Sequence, residues 1–360
     1  MFENWYYFEE WREFIKCFDF DNSLFIANVG FELRSFSSLE SLVKLKKLEK
    51  LKVDFFYFYL KSHSSISEEI KGYGIEESKE IDEKTSENIK NLEKLKDEYK
   101  LNLRIIPYNR INEYENIVGH EEIYNIINDK IEIKNYKNIF LDVSAIPRAI
   151  FIPLIKIFYE LVDTANLFII WTNKGGFTFD HNVENYDLSI NLPLFEKELK
   201  KDAMVFWLPI LSYDPNLIKL VLDQRQFKKN ASLYPIITFP TQWPEESTNI
   251  LLKNKEFFNK YFQFDKMLYL PYNNPFEFFL GIKEFYDSKK RIFNDQFHII
   301  ISPFGSKAQS IGSSLAGVLL DNVSLVVCRP VNYKYDKEEP PKEESEDSFI
   351  VWLKGENFSS

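Results

Sequence analysis

Much of the equipment of common protein chemistry is scarce or missing in this chain of 360 residues. No apolar run approaches the roughly 20 residues a helix needs to cross a bilayer. The amino terminus, MFENWYYFEEWREFIKCF, is acidic and amphipathic, without the basic-then-apolar order of a secretory leader. A cytoplasmic protein with no membrane partner is therefore expected. There are only 2 cysteines, Cys17 and Cys328, each alone among apolar neighbours, so a disulfide framework and a thiolate metal site are both unexpected. The 4 histidines are scattered with no ligand spacing, which argues against a zinc site. His298 lies in an apolar run and reads as a core histidine; His120 and His181 stand in polar stretches, and His63 follows an apolar run as a loop residue. No Walker A loop is present, because Gly305 to Gly312 in GSKAQSIG has the wrong spacing. GYGIEE (Gly72 to Glu77) lacks the third glycine of a dinucleotide fingerprint and the strand that should precede it. No cofactor and no metal are expected on these grounds.

What the chain does have is apolar mass: 45% of its residues are hydrophobic, enough for one large core or two medium ones, and its length favours two lobes. The net charge of -10 comes from two segments. Residues 68–98 carry 11 acids and 6 bases, and residues 336–347 carry 7 acids and 2 bases, which leaves 37 acids and 37 bases elsewhere. The acidity thus belongs to two polar appendages, expected to be peripheral to the core and open to a protein partner, and it says little about a ligand site. The many Phe and Tyr residues read as core rather than as base-stacking platforms.

Short β-rich runs alternate with helical patterns, the signature of a mostly parallel α/β sheet. The first series predicts strands at Leu24–Val29, Val53–Leu60, Leu103–Tyr108, Asn138–Val143 and Leu167–Thr172. A second series predicts Met204–Ile210, Leu233–Phe239, Lys266–Leu270, Phe297–Ser302 and Val323–Cys328, with a late edge strand at Phe349–Leu353. The charged stretch SINLPLFEKELKKD separates them, so the expected fold is two Rossmann-like lobes, residues 1–195 with a charged helical insertion at 68–98 and residues 196–360 with the acidic segment 336–347. The two lobes read as a duplicated module. After the first strand, Leu39, Leu42, Leu45, Leu48 and Leu51 recur every third residue, and Ser37 with Glu40 has the spacing of a capping box. The lysines of that helix read as its polar face.

In open α/β sheets ligands bind beyond the carboxyl ends of the strands, among loops that lead into helix amino termini. The first strand ends FIANVGFELRSF, offering Asn28, Glu32, Arg34 and Ser35; the fourth ends LDVSAIPR, offering Asp142, Ser144 and Arg148. The second series ends its fourth strand ISPFGSK, offering Ser306 and Lys307. Arg148 and Lys307 are cations in the first turn of a helix, where the helix dipole disfavours them. A bound phosphate, held by the unpaired N–H groups of that turn, would reverse the penalty. The bland alternative, Arg148 folded onto Asp142 or lying in solvent and Lys307 snorkelling, is about as frequent for either residue alone. Repetition at equivalent points of two lobes favours function.

The segment LDVSAIPRAIFIPLIKIF resembles the strand, Asp-x-Thr/Ser loop, basic residue and helix of CARF-type domains, the Rossmann-like sensors of cyclic oligonucleotides in prokaryotic defence. FIANVGFELRS is similar to the strand and loop that open such domains, and IISPFGSKAQSIGSSLAG resembles the same element again. Ala145, Ile146 and Pro147 stand where that family has a double glycine. The resemblance implies a nucleotide or other phosphorylated small molecule as ligand, in a sensor or subunit of a defence or stress system. Arg148 and Lys307 would clamp phosphate, Ser144 and Ser306 would donate hydroxyls, Asn28 and Asp142 would read base or ribose, and Arg34 would be a further ligand contact, or with Arg148 a stabiliser of transition-state charge in an enzyme. Two alternatives stand beside it: a nucleotide-directed hydrolase or transferase with Asp142 or Glu32 as general base, and a non-catalytic interaction scaffold. Homo-oligomerisation is left open.

Overall fold

The structure, a computed structural model, describes residues 8–48, 51–61, 75–109, 116–162, 164–173, 183–225, 231–241, 244–261, 266–333 and 348–355. The chain divides into two compact units, Met1–Phe177 with Tyr335–Ser360, and Thr178–Lys334. Each is built on a mostly parallel sheet, as the alternation of strand and helix patterns predicts.

The first unit runs β1 (Phe8–Glu10), α1 (Trp11–Cys17), β2 (Ser23–Asn28), α2 (Ser37–Leu45), β3 (Val53–Leu60), α3 (Ile75–Tyr99), β4 (Asn102–Tyr108), α4 (Gly119–Lys130), β5 (Asn138–Asp142), α5 (Arg148–Leu161) and β6 (Asn166–Thr172). Five parallel strands lie in the order β4-β3-β2-β5-β6, which, numbered along the chain, is the 3-2-1-4-5 order of a Rossmann-like sheet. Central strands β2 and β5 are buried on both faces, which is why they read as continuous apolar runs without alternation. Register brings Phe55, Phe25, Phe140 and Phe168 directly opposite one another on β3, β2, β5 and β6. Their rings stack at centroid separations of 5.0, 4.4 and 4.7 Å, and Trp11, Phe14, Phe18 and Phe20 cover the row. Each such pair contributes about 0.5–1.5 kcal/mol beyond the area it buries. These aromatics are core, as expected.

The second unit runs β7 (Val183–Asn191), β8 (Met204–Pro209), α6 (Pro215–Arg225), β9 (Ala231–Leu233), β10 (Ile236–Thr238), α7 (Glu246–Lys253), α8 (Lys255–Tyr261), β11 (Leu268–Leu270), α9 (Pro275–Phe293), β12 (Phe297–Ser302), α10 (Lys307–Leu319) and β13 (Val323–Tyr333). Its main sheet is ordered β7-β13-β12-β8-β9. β9 and β10 act as one strand broken at Tyr234–Pro235, since Ile236 still bridges Ile210 beyond the end of β8, and β10 pairs in parallel with β11. Counted this way, the parallel strands repeat the order 3-2-1-4-5.

Three sequence expectations need correction. The lobes do not divide at 195/196: β7 pairs antiparallel with β13 of the second unit, while the last strand, β14 (Ser348–Lys354), pairs antiparallel with β6 and returns the carboxyl end to the first unit. The charged insertion is not peripheral where it is described. Helix α3 buries Ile81 and Leu92, with Ile89, Leu95 and Tyr99 partly buried against the first core, so its charges line only the outer side of a packed helix. The other acidic segment, 336–347, lies outside the described residues. Finally, the Ser37–Glu40 capping box does not form. A 3-10 turn over Leu33–Phe36 runs into α2, the cap position falls on Phe36, and Ser37 is already helical.

Candidate functional site

In the first unit the strand order reverses between β2 and β5, so the switch-point crevice lies beyond Asn28 and Asp142. These two side chains point to opposite faces. Side chains alternate along a strand, and Phe25, Ala27 and Phe140 belong to the core under α1, α2 and α3. Asp142, two residues after Phe140, takes that same face, and Asn28 takes the other, the face covered by α4 and α5.

Asp142 is buried, and both its oxygens accept hydrogen bonds. Oδ1 takes Ser144 N at 2.8 Å and the Ser144 hydroxyl, and Oδ2 takes the Ser38 hydroxyl from α2. Ser144 Oγ in turn accepts Thr172 N at 2.9 Å, so one carboxylate and one hydroxyl tie the β5 loop to α2 and to the end of β6. Burial holds the neighbouring Tyr57 hydroxyl well above its ordinary pKa, the Asp142 carboxylate adds to the effect, a hydrogen bond with Ser38 opposes it and Glu40 adds a smaller push. This geometry corrects two expectations. Asp142 is enclosed by donors within the protein, which leaves it poorly placed as a general base, and the Ser144 hydroxyl is already engaged as donor and acceptor.

The loop after β2 is held on every side. Gly30 N donates to Ser35 Oγ at 3.2 Å, and Ser35 Oγ donates back to Glu32 O. Asn88 of α3, only 2% exposed, donates to Gly30 O at 2.8 Å. Arg34 forks onto the Glu32 carboxylate at 2.8 to 3.1 Å and reaches Thr172 O at 3.3 Å. Glu32 is thereby committed to Arg34, which removes it as an available base. Asn88 was not singled out from the sequence. An asparagine in a run of Glu and Lys carries no signal of its own.

Arg148 opens α5, and its flanking residue Pro147 provides no side-chain cap. Asn28 Nδ2 donates to Ala145 O at 3.2 Å, which places the Asn28 amide at the loop leading into that helix. At the corresponding point of the second unit the arrangement differs. Ser306 caps α10, accepting Gln309 N at 3.1 Å while Gln309 Oε1 accepts Ser306 N at 3.0 Å, a complete capping box. The Ser306 hydroxyl also donates to Tyr272 O at 2.6 Å, and Gln309 Nε2 donates to Thr238 Oγ1 at 3.1 Å and Pro271 O at 3.2 Å, at the ends of β10 and β11. A Cβ on Gly305 would stand 1.9 Å from Gln309 Oε1, so only glycine fits beside this plug. Ser306 is thus corrected from ligand donor to helix cap, and Lys307 stands at a helix start already closed behind it.

Two histidines are described. His298 is buried on β12 and shares a 2.9 Å hydrogen bond with Ser324 Oγ; burial first and Lys197 second push its pKa down to about 4. His120, in the first turn of α4, is fully buried, with no hydrogen-bond partner on either ring nitrogen. Burial lowers its pKa, and Glu121, 3.9 Å from Nε2, opposes that. His63 and His181 lie outside the described residues. Among the described residues no cluster of His, Cys, Asp and Glu could hold a metal ion, and no helix is long and apolar enough to cross a membrane.

No family model matches the chain, and no curated protein matches it. Among solved structures it is similar to one described as a universal stress protein from Pseudomonas aeruginosa UCBPP-PA14, with 10% identity and a TM-score of 0.24, over 88% of this chain and 95% of that one. The Rossmann-like description therefore rests on the strand order itself.

Proposed function

We propose that the first lobe binds a nucleotide or a similar phosphorylated small molecule at the carboxyl end of its sheet, as a sensor or binding subunit that does not turn the ligand over. The observation that carries this reading is the start of α5: Pro147 stands at its cap position and offers no side-chain cap at the switch point, and a cation stands in its first turn. Arg148 and the leading N–H groups of α5 take the phosphate. Arg34 supplies a second cation by exchanging Thr172 O, held through Nη1, for the ligand while Nε and Nη2 stay on Glu32. Asp142, Ser144 and Ser38 fix the loops. The enclosure of Asp142 and the commitment of Glu32 to Arg34 favour binding over catalysis.

A thermal-shift and titration panel of nucleotides tests it. Arg148→Ala removes a charge-assisted hydrogen bond and should weaken binding roughly 10- to 100-fold, the equivalent of about 1.5–3 kcal/mol. Lys307→Ala should leave it unchanged. Equal responses from wild type and Arg148→Ala overturn the assignment. Mass spectrometry of recovered nucleotide should show it unaltered, and a product that disappears with Asp142→Asn would make the protein an enzyme.

A further inference from the structure

On the face of the first sheet that carries α4 and α5, a side chain of β2 and one of α4 each hold a buried polar group that the fold leaves unsatisfied. One is Asn28 Oδ1; the other is the His120 ring, through both nitrogens. Asn28 is 6% exposed and His120 not at all. The Asn28 amide cannot be turned around to relieve the first, because its Nδ2 must face Ala145 O. Buried polar groups are almost always paired, and leaving one unpaired costs about 1–3 kcal/mol, so two such groups call for a cause.

The two belong to the same neighbourhood. Asn28 lies opposite Phe58 on β3, Phe58 meets Tyr108 of β4 edge to face, and Gly119, beside His120, is packed so closely on Tyr108 and on Ile150 of α5 that an added Cβ would stand 3.1 Å and 2.8 Å from them. Ile150 is the third residue of the helix that Arg148 opens. The start of α5 and an acceptor lacking a donor thus border one end of one sheet face, and the imidazole lacking both kinds of partner stands in the first turn of the helix packed on α5.

Their chemistry distinguishes between ligands. An ionised phosphate or carboxylate has only acceptor atoms, so it suits the helix start and cannot satisfy Asn28 Oδ1. A neutral imidazole needs a donor on one side and an acceptor on the other, and a hydroxyl can serve as either. We infer that the crevice recognises a ribonucleotide through its sugar hydroxyls, with Asn28 and His120 as the specificity-determining residues beside the phosphate site at α5. This rests on the reading of the first lobe as a phosphate-binding crevice. Neighbouring strands are ~4.8 Å apart, so a donor needed at the end of β2, next to a phosphate at the end of β5, corresponds to the sugar and not to the more distant base. Gly30 lies over the Asn28 amide, an added Cβ standing 3.7 Å from Nδ2, so on this inference the ligand gains Asn28 only by breaking the bonds from Gly30 to Ser35 and Asn88 that hold the loop.

Calorimetric titration of the full chain with ribonucleoside 5′-triphosphates, their 2′,3′-dideoxy counterparts and inorganic tripolyphosphate tests this. The ribonucleotide should bind roughly tenfold or more tighter than the other two, about 1.4 kcal/mol for each hydrogen bond restored. His120→Phe deletes no hydrogen bond within the protein, so its melting temperature should hold or rise while the ribonucleotide advantage disappears and tripolyphosphate binding persists. Asn28→Ala should do the same at a lower melting temperature. Equal affinity for ribo and dideoxy forms, or an undiminished advantage in His120→Phe and Asn28→Ala, overturns the inference and leaves phosphate binding standing. Failure of all three probes to bind overturns both.

Discussion

Both lobes thread five parallel strands in the order 3-2-1-4-5, and both start a helix with a cation just after the fourth. They finish that start in opposite ways. In the second lobe a serine, a glutamine and a glycine close it, and the glutamine amide goes on to tie down the ends of two more strands. In the first, Pro147 offers no cap, while Asp142 and Ser144 brace the loop from the opposite face of the sheet. A helix amino terminus has a fixed number of unpaired N–H groups, and what satisfies them decides whether the site is structure or receptor. Topology alone makes the two places equivalent; a three-residue difference in side chains separates them.

The comparison can be sharpened most forcefully through α3, whose Asn88 holds the loop after β2 at Gly30 O much as Asn254, between α7 and α8, holds the loop after β8 at Ser212 O. Leu92→Ala, at a fully buried site, should destabilise the protein by about 2–5 kcal/mol in chemical denaturation. A loss under about 0.5 kcal/mol would return α3 to the status of a solvated arm. Next in size is Gln309→Ala, which strips partners from Ser306 N, Thr238 Oγ1 and Pro271 O and should cost about 1–3 kcal/mol. If the variant is as stable as wild type, the second lobe is not sealed by this side chain and the contrast between the lobes fails. The smallest effect at neutral pH concerns the histidine of the second lobe. With its folded pKa pushed from 6.5 down to about 4, the unfolded chain binds the proton first. The stability that neutral His298 protects is therefore whole above pH 6.5 and is lost as pH falls from there toward 4. His298→Gln should flatten the stability profile in that window, and an unchanged slope would assign the acid sensitivity elsewhere.

Two motifs of the same form show where sequence reading stopped. Ser37-x-x-Glu40 has the capping-box spacing and forms none, because the 3-10 turn ahead of it has already begun the helix. Ser306-x-x-Gln309 reads as part of a ligand loop and is the one that closes. The spacing was legible in both; which residue falls at the cap depends on the path of the chain into the helix, and a local pattern does not contain that path. Likewise the strand near Phe349 was legible as a strand, but its partner, β6 of the first unit, was not, since an edge strand carries no label for the sheet it joins.

Sequence by itself determined the alternation of strands and helices, the positions of the ten parallel strands to within a few residues, and the polar loops that follow the first and fourth strands, because apolar periodicity and turn residues are local properties. Tertiary structure alone decided that α3 packs and clamps the first loop through Asn88, that Asp142 turns its carboxylate to Ser38 and Ser144, and that Asn28 Oδ1 and the His120 ring are buried without a hydrogen-bond partner. Burial and hydrogen-bond satisfaction are relations between residues tens of positions apart, fixed only when the sheet is assembled and each strand's two faces acquire their coverings.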